Sequence, residues 1–364
     1  MRHFILFIFS VLIFAGCAQK KVVIVDTQDK AIKTEKKVEV IQEEEVTLED
    51  FSEILTTDTD FKIAIIFPSK VVGKYANSTI NTVLGYLLYK NEKFEIETFD
   101  SVLQTQENID LAFSQAIDKG YKNIIALYTQ SSLESIYSVS GIEKTKVYFP
   151  IMHKEEYSFT PENFIFGSIS YDAQMSELLK FSNGENTTFY EDSSIGKKLQ
   201  SKYENLVSEI KIKKPVSRKN NSYKALVEDE NLNDTTLMLN TPIIKTSIIL
   251  SQLRAHDIKP TLILSTQLNY DPILVTLTQF EDRVSFITAS SIESTNNNLE
   301  EILTILGSDS LYNWVNYSSL IGINYLFSEN SDGLIKNQII DNKVEYGVNL
   351  YNSTEYGFQK IESN

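Results

Sequence analysis

From Phe61 onward the chain alternates short, β-branched apolar runs with longer stretches whose apolar residues recur every three or four positions, and this alternation narrows the possible folds most. Lys62-Ile63-Ala64-Ile65-Ile66-Phe67, closed by Pro68, reads as a strand buried on both faces. Ile80, Val83, Leu84, Leu87 and Leu88 then repeat at helical spacing, and Phe94 and Ile96 alternate with charges as a strand does. Ile109, Ala112, Phe113, Ala116 and Ile117 form a second helical stripe, stopped by Gly120 as a helix C-cap should be. Strands are expected over 123–128 and 146–150, with a short helix over 133–139.

A second boundary falls near Ser168, after which the series resumes. Helices are expected around Met175, Leu178 and Leu179, over 195–207 and over 248–256. Strands are expected over 187–190, 210–212, 237–239, 261–265 and 284–288. Strand-then-helix order gives parallel sheets wrapped in helices, so two such runs predict an α/β protein of two Rossmann-like lobes. The C-terminal part departs from this, with short apolar strands separated by Asp341-Asn342 and Asn352-Ser353 that read as antiparallel hairpins. The expected division is 61–168 plus about 291–328 for the first lobe and 169–290 plus about 329–362 for the second.

Ahead of the lobes stand Arg2, an apolar run broken only by Ser10, and Ala15-Gly16-Cys17, the order of a secretory signal. Phe14-Ala15-Gly16-Cys17 resembles the bacterial lipobox, with Phe14 where an aliphatic residue is usual. The resemblance implies removal of residues 1–16, acylation of Cys17 and attachment to a membrane facing the periplasm. Ala18 after Cys17, where Asp does not stand, resembles the outer-membrane pattern of some bacteria. Residues 17–60 hold charge clusters such as Glu43-Glu44-Glu45 and scattered aliphatics, too little apolar surface to offset the entropy of ordering, and read as a tether.

Cys17 is the only cysteine, which excludes disulfides, thiolate catalysis and Cys-based metal sites from the rest of the chain. The formal charge of -15 opposes contact with phosphate backbones, so a nucleic-acid partner is not expected. Neutral-pH acid–base chemistry most often needs His, and beyond the signal only His153 and His256 remain; both read as structural. No phosphate-binding Gly-rich loop, zinc-protease motif or nucleophile elbow is present, so neither an enzyme nor a bound cofactor or metal is expected. Acidic residues such as Asp229, Glu300 and Glu301 read as solvated surface.

The order of elements resembles the type I periplasmic binding-protein fold of branched-chain amino-acid receptors and penicillin-binding-protein activator lipoproteins. Residues 63–69 with 77–89 look like the family's first strand, loop and helix, residues 164–174 like the passage into the second lobe, and residues 188–197 like the strand, loop and helix after it. Residues 249–264 and 317–326 fit later elements. The chain departs from the pattern over 69–75, where relatives carry several glycines and this one has only Gly73.

In open α/β lobes ligands sit beyond the carboxyl ends of strands. That rule selects Ser69, Gln130, Ser131, Ser132, Tyr171, Asp192, Ser193, Asn240 and Thr241 as candidate ligand-binding residues, with Ser131 and Ser132 where the family's amino-acid receptors place hydroxyls. Asn240-Thr241-Pro242 offers no acid for a ligand's ammonium group, although Asp192 could substitute. Two functions are therefore expected: a non-catalytic lipoprotein that regulates cell-wall synthesis by contacting a peptidoglycan synthase, or a receptor that delivers a small polar ligand to an ABC importer.

Overall fold

The computed structural model describes residues 61–219, 221–329, 331 and 333–362; the signal segment 1–16, Cys17 and the tether 17–60 lie outside the described residues. Strands β1 to β14 are Phe61–Phe67, Phe94–Asp100, Asn123–Ala126, Lys146–Phe149, Phe164–Phe166, Asn186–Glu191, Ile212–Val216, Thr236–Asn240, Leu262–Ser265, Phe286–Ser290, Ile339–Ile340, Lys343–Val344, Asn349–Ser353 and Phe358–Lys360. Helices α1 to α10 are Ser69–Lys90, Gln106–Asp118, Leu133–Tyr137, Tyr171–Leu179, Ser194–Leu206, Tyr223–Val227, Ile243–Ala255, Pro272–Leu277, Asn297–Ile305 and Trp314–Ser328. They build two sheets, ordered β11-β12-β5-β4-β3-β1-β2 and β14-β13-β10-β9-β8-β6-β7. Pairing is parallel except at β11 with β12, β10 with β13 and β13 with β14.

The all-apolar strands face a core on each side. In β1, Ile63 and Ile65 enter the cluster that holds Val83, Tyr86 and Leu87 of α1, while Ala64 and Ile66 enter the one that holds Ala112, Phe113 and Ala116 of α2. β8 divides in the same way, Leu237 and Leu239 to one side and Met238 to the other. This two-sided burial is why these strands read as continuous apolar runs. Helix α10 is buried from Val315 to Asn324 on its whole circumference, its apolar residues joined there by Asn316, Ser318, Ser319 and Asn324. It fits there because Gly322 lets the Tyr148 ring lie against its backbone; a Cβ would overlap that ring.

Several elements differ from the sequence expectation. The segment 69–75 is the opening of α1 and not a loop: Pro68 supplies the extended N-cap, and Val72 and Ala76 are buried on the helix face. The strand expected over 210–212 lies at Ile212–Val216, an edge position that tolerates Pro215. Residues 339–344, assigned by the sequence to the second lobe, extend the first sheet. Asp341 and Asn342 both take positive φ, the geometry of a two-residue hairpin turn, and Lys343 then pairs in parallel with Phe166. Asn352 and Ser353 are within β13, and the turn follows them, closed by the Thr354 amide donating to the Gly357 carbonyl at 2.8 Å. Asp229 and Glu300 do more than face solvent. Asp229 pairs with Lys214 at 2.9 Å, and both Glu300 oxygens accept from Ser310 Oγ, at 2.7 and 2.9 Å.

Arg283 anchors that last hairpin. It is 1% exposed, and its guanidinium donates to Thr278 Oγ1 (3.1 Å), Ser353 Oγ (2.7 Å), the Glu355 carbonyl (3.0 Å) and the Thr354 carbonyl. Arg283→Met would strand these acceptors, and a loss of about 2–3 kcal/mol in unfolding free energy is expected from denaturant titration. An unchanged unfolding curve would show that the hairpin does not depend on this anchor.

Candidate functional site

The chain crosses between the sheets near residues 167–170, 291–296 and 345–348. The crossings are tied by buried polar groups. Tyr346 Oη donates to the Gly167 carbonyl at 2.6 Å, joining the third crossing to the first. Ser318 Oγ lies 2.8 Å from that same carbonyl and shares a 3.1 Å hydrogen bond with Tyr148 Oη. On the second sheet's side, Gln174 Nε2 donates to Ser291 Oγ (2.9 Å) and Gln267 Oε1 (3.0 Å), joining the first crossing's helix to the second crossing.

Beside the first crossing the facing strand ends leave a cavity of about 110 Å³, bordered by Gln130, His153 and Glu156 on one side and by Tyr171, Ile195 and Lys198 on the other, with Trp314 closing it. Lys198 Nζ meets Glu156 Oε1 at 2.5 Å, an ion pair joining α5 of the second lobe to the turn after β4 of the first. Lys202 pairs with Asp172 at the rim. The Tyr171 hydroxyl is held well above the usual tyrosine range by burial and by the neighbouring Tyr75, against a hydrogen bond with Trp314 that acts in the opposite sense. A phenol kept neutral in that position lines the cavity without an ionic role.

Of the sequence candidates, Gln130 and Tyr171 border this cavity. Gln130 is held by its own backbone neighbourhood: Nε2 donates to the His153 carbonyl at 2.9 Å, and its carbonyl accepts from Tyr157 Oη at 2.6 Å. Ser69 opens α1 and its amide donates to Asp100 Oδ1 at 3.0 Å. Burial pulls the Asp100 carboxyl upward, but the Ser69 hydroxyl and amide and the Val102 amide outweigh it and leave the pKa lowered. Ser131 is exposed beside Thr129, and Ser132 is buried with its hydroxyl unpartnered. Asp192 is exposed and bound to Lys197 at 2.7 Å, which holds its carboxyl low. Ser193 caps α5 by accepting from the Gly196 amide at 3.2 Å. Thr241 shares a 2.7 Å hydrogen bond with Thr246, and Asn240 is fully buried with both amide atoms unpartnered. None of these other candidates borders the cavity.

Sequence reasoning missed Glu156, Lys198 and Trp314. The available signals were the lone tryptophan and the i, i+4 spacing of Lys198 and Lys202, which puts both on one face of α5. His153 was read as structural, and it borders the cavity. Burial lowers its pKa, while Glu155 and Glu156 act in the opposite sense. The unfolded chain takes up this proton at about pH 6.5, whereas the folded chain resists until lower pH. Stability should therefore fall as pH drops through that window and level off below it. Thermal unfolding from pH 8 to 5 is expected to show this decline, reduced in His153→Gln; an identical profile in that variant would remove His153 as its source.

No family model and no curated protein matches the chain. Solved structures do. The substrate-binding protein LivJ of Streptococcus pneumoniae, a branched-chain amino acid transporter component in complex with isoleucine, matches with a TM-score of 0.59 at 10% identity, covering 83% of this chain and 99% of that one. A solute-binding protein of an ABC transporter from Rhodopseudomonas palustris, in complex with 3,4-dihydroxybenzoic acid, matches with a TM-score of 0.59 at 13% identity over 83% and 96%. The C-domain of LpoA from Haemophilus influenzae, a regulator of PBP1A, matches with a TM-score of 0.54 at 12% identity over 83% and 100%. These likenesses establish the fold: the chain has the two-lobed α/β architecture of type I periplasmic binding proteins, as its sequence led us to expect. The neighbours are binding proteins and a regulator, and the fold alone does not choose between those roles.

Proposed function

We propose that this is a non-catalytic envelope lipoprotein that regulates cell-wall synthesis through contacts with a peptidoglycan synthase. The observation that carries the reading is the occupied cleft. Small-molecule sites run to roughly 300–1,000 Å³, and here the facing strand ends leave about 110 Å³. Tyr171 and Trp314 line what space is left, the Lys198–Glu156 pair spans the lobes, and Ser69, Gln130 and Ser193 bond to their own chain. A surface suited to a protein partner lies elsewhere. On α7, exposed Ile244 and Ile248 lead into Ser251, Arg254 and Ala255, which line a groove of about 710 Å³ with Leu277 of α8, Gln279 and Asp282; Ile273 of α8 is exposed outside it. Exposed aliphatics on two helices that pack together are suited to an interaction face.

The receptor reading keeps one specific support. Ser132, in the turn ahead of α3, and Asn240, at the end of β8, are buried with polar atoms unpartnered, as residues awaiting a polar ligand would be. One pair of measurements separates the two readings. Affinity capture from solubilised envelope is expected to recover a peptidoglycan synthase, with capture lost in the double variant Ile248→Asp, Leu277→Asp. Thermal-shift screening with aliphatic amino acids, aliphatic amides and aliphatic carboxylates is expected to give no shift, whereas a receptor at a hundredfold its dissociation constant would gain about 2.7 kcal/mol. A shift with any of these ligands, joined to failed capture, would replace the first reading with the second.

The anchor in this proposal is Cys17, with the outer membrane as destination and residues 17–60 as the reach. Among the described residues no helix is long and apolar enough to cross a membrane. Cys17→Ser is expected to move the protein from the sedimented membranes to the soluble fraction and to abolish labelling by palmitate. Retention of either property would exclude this anchor.

A further inference from the structure

A second cavity, of about 330 Å³, shares no residue with the cleft and lies against the other two crossings. Its wall is aromatic. The Tyr270 ring stands 4.5 Å from that of Tyr351 and 5.5 Å from that of Tyr312, tilted by 39° and 41°, and is backed by Phe358 at 5.1 Å. Burial and the adjoining Tyr351 raise the Tyr270 pKa, so the wall stays uncharged. The rim is cationic. Lys336, just ahead of β11, and Lys360 of β14 both border the cavity, and among the described residues neither has a carboxylate within ion-pairing distance. Glu293, from the second crossing, adds one acceptor to the same lining.

Tilted aromatic faces bind a flat ring through offset and edge contacts, and two unpaired ammonium groups favour an anion. The volume falls within the lower part of the range for small-molecule sites. We infer that this cavity binds a small aromatic carboxylate whose ring lies against Tyr270, Tyr312 and Tyr351, whose carboxylate meets Lys336 and Lys360, and whose hydroxyl or ammonium donates to Glu293. The walls come from both lobes: Tyr312 and Lys336 precede elements of the first, and Tyr351 and Lys360 lie on strands of the second. A bound ligand would therefore touch both. The inference does not depend on what the cleft does.

Calorimetric titration of the full chain with 4-hydroxyphenylacetate tests it. Saturable binding with one site is expected, weakened at least about tenfold in Lys336→Ala, Lys360→Ala and to a similar degree for the uncharged 4-hydroxyphenylacetamide. Acetate alone should give no saturable heat. Both lysines are exposed, and an unchanged melting temperature in the double variant would show that folding is intact. Tyr351→Ala should also weaken binding, and Tyr171→Ala, in the cleft, should leave it unchanged. No saturation at roughly 10 mM probe, far weaker than a functional small-molecule site, would overturn the inference. So would affinity that survives loss of both lysines, or affinity that is lost in Tyr171→Ala.

Discussion

The Gly167 carbonyl is the point on which the arrangement of the two lobes turns. It lies where the chain first leaves the first sheet, and it accepts from Tyr346 of the third crossing while Ser318 of α10 lies in hydrogen-bonding reach. A peptide carbonyl buried there without such partners would cost about 1–3 kcal/mol. The packing around it also depends on absent side chains. Gly167 and Gly322 face Tyr148 from two directions, and a Cβ on either would overlap that residue. With Gln174 tying the first crossing to Ser291 of the second, the strands between the lobes are held by a buried network in which several members hold more than one partner. Such a network is stiff because no member can leave without stranding another.

That stiffness bears on how the molecule is used. A receptor that closes on a solute needs crossings that bend and a cleft that empties. Here the cleft already carries Tyr171, Trp314 and an ion pair from lobe to lobe, while the larger concavities lie on the outer face of the second lobe and beside the second and third crossings. The exposed ion pair contributes little to stability, in the range of about 0–1 kcal/mol. Its effect is on relative position: it favours one spacing of the lobes over others. A fixed spacing suits a surface presented to another protein, and a ligand held beside the crossings would act on that same spacing.

The fold was legible because its strongest signals are local. β1 and β8 announce themselves as runs buried on both faces, and Asp341-Asn342 announces a hairpin by tolerating positive φ. What the sequence did not reveal depends on partners far along the chain. β12 joins the first sheet through one register position against Phe166, for which nothing near Lys343 speaks. Helix α9 was passed over although Leu299, Ile302 and Leu303 stand at helical spacing, because the stretch is only nine residues long. The cleft was harder still. Strand-end logic found Gln130 and Tyr171, but it could not show that Lys198 would reach Glu156, 42 positions away, or that Gln130 would turn to the His153 backbone. Hydroxyls after strands look alike in sequence whether they await a ligand or cap a helix, and Ser193 proved to be a cap.

Helix α10 also sets an order of assembly. It completes the first lobe's core, yet it is made after nearly the whole second lobe: Thr79 and Ser319, in hydrogen-bond contact at 3.3 Å, are 240 positions apart. Until that late segment arrives, the face of α1 that carries Val83, Tyr86 and Leu87 packs on Ile63 and Ile65 of β1 but lacks the cover of Leu320, Ile321 and Ile323. Contacts of such long sequence separation slow folding and prolong the life of partly covered intermediates. The first lobe therefore cannot mature during synthesis of its own first half, and any fragment ending before residue 314 leaves an open apolar furrow for chaperones or for aggregation.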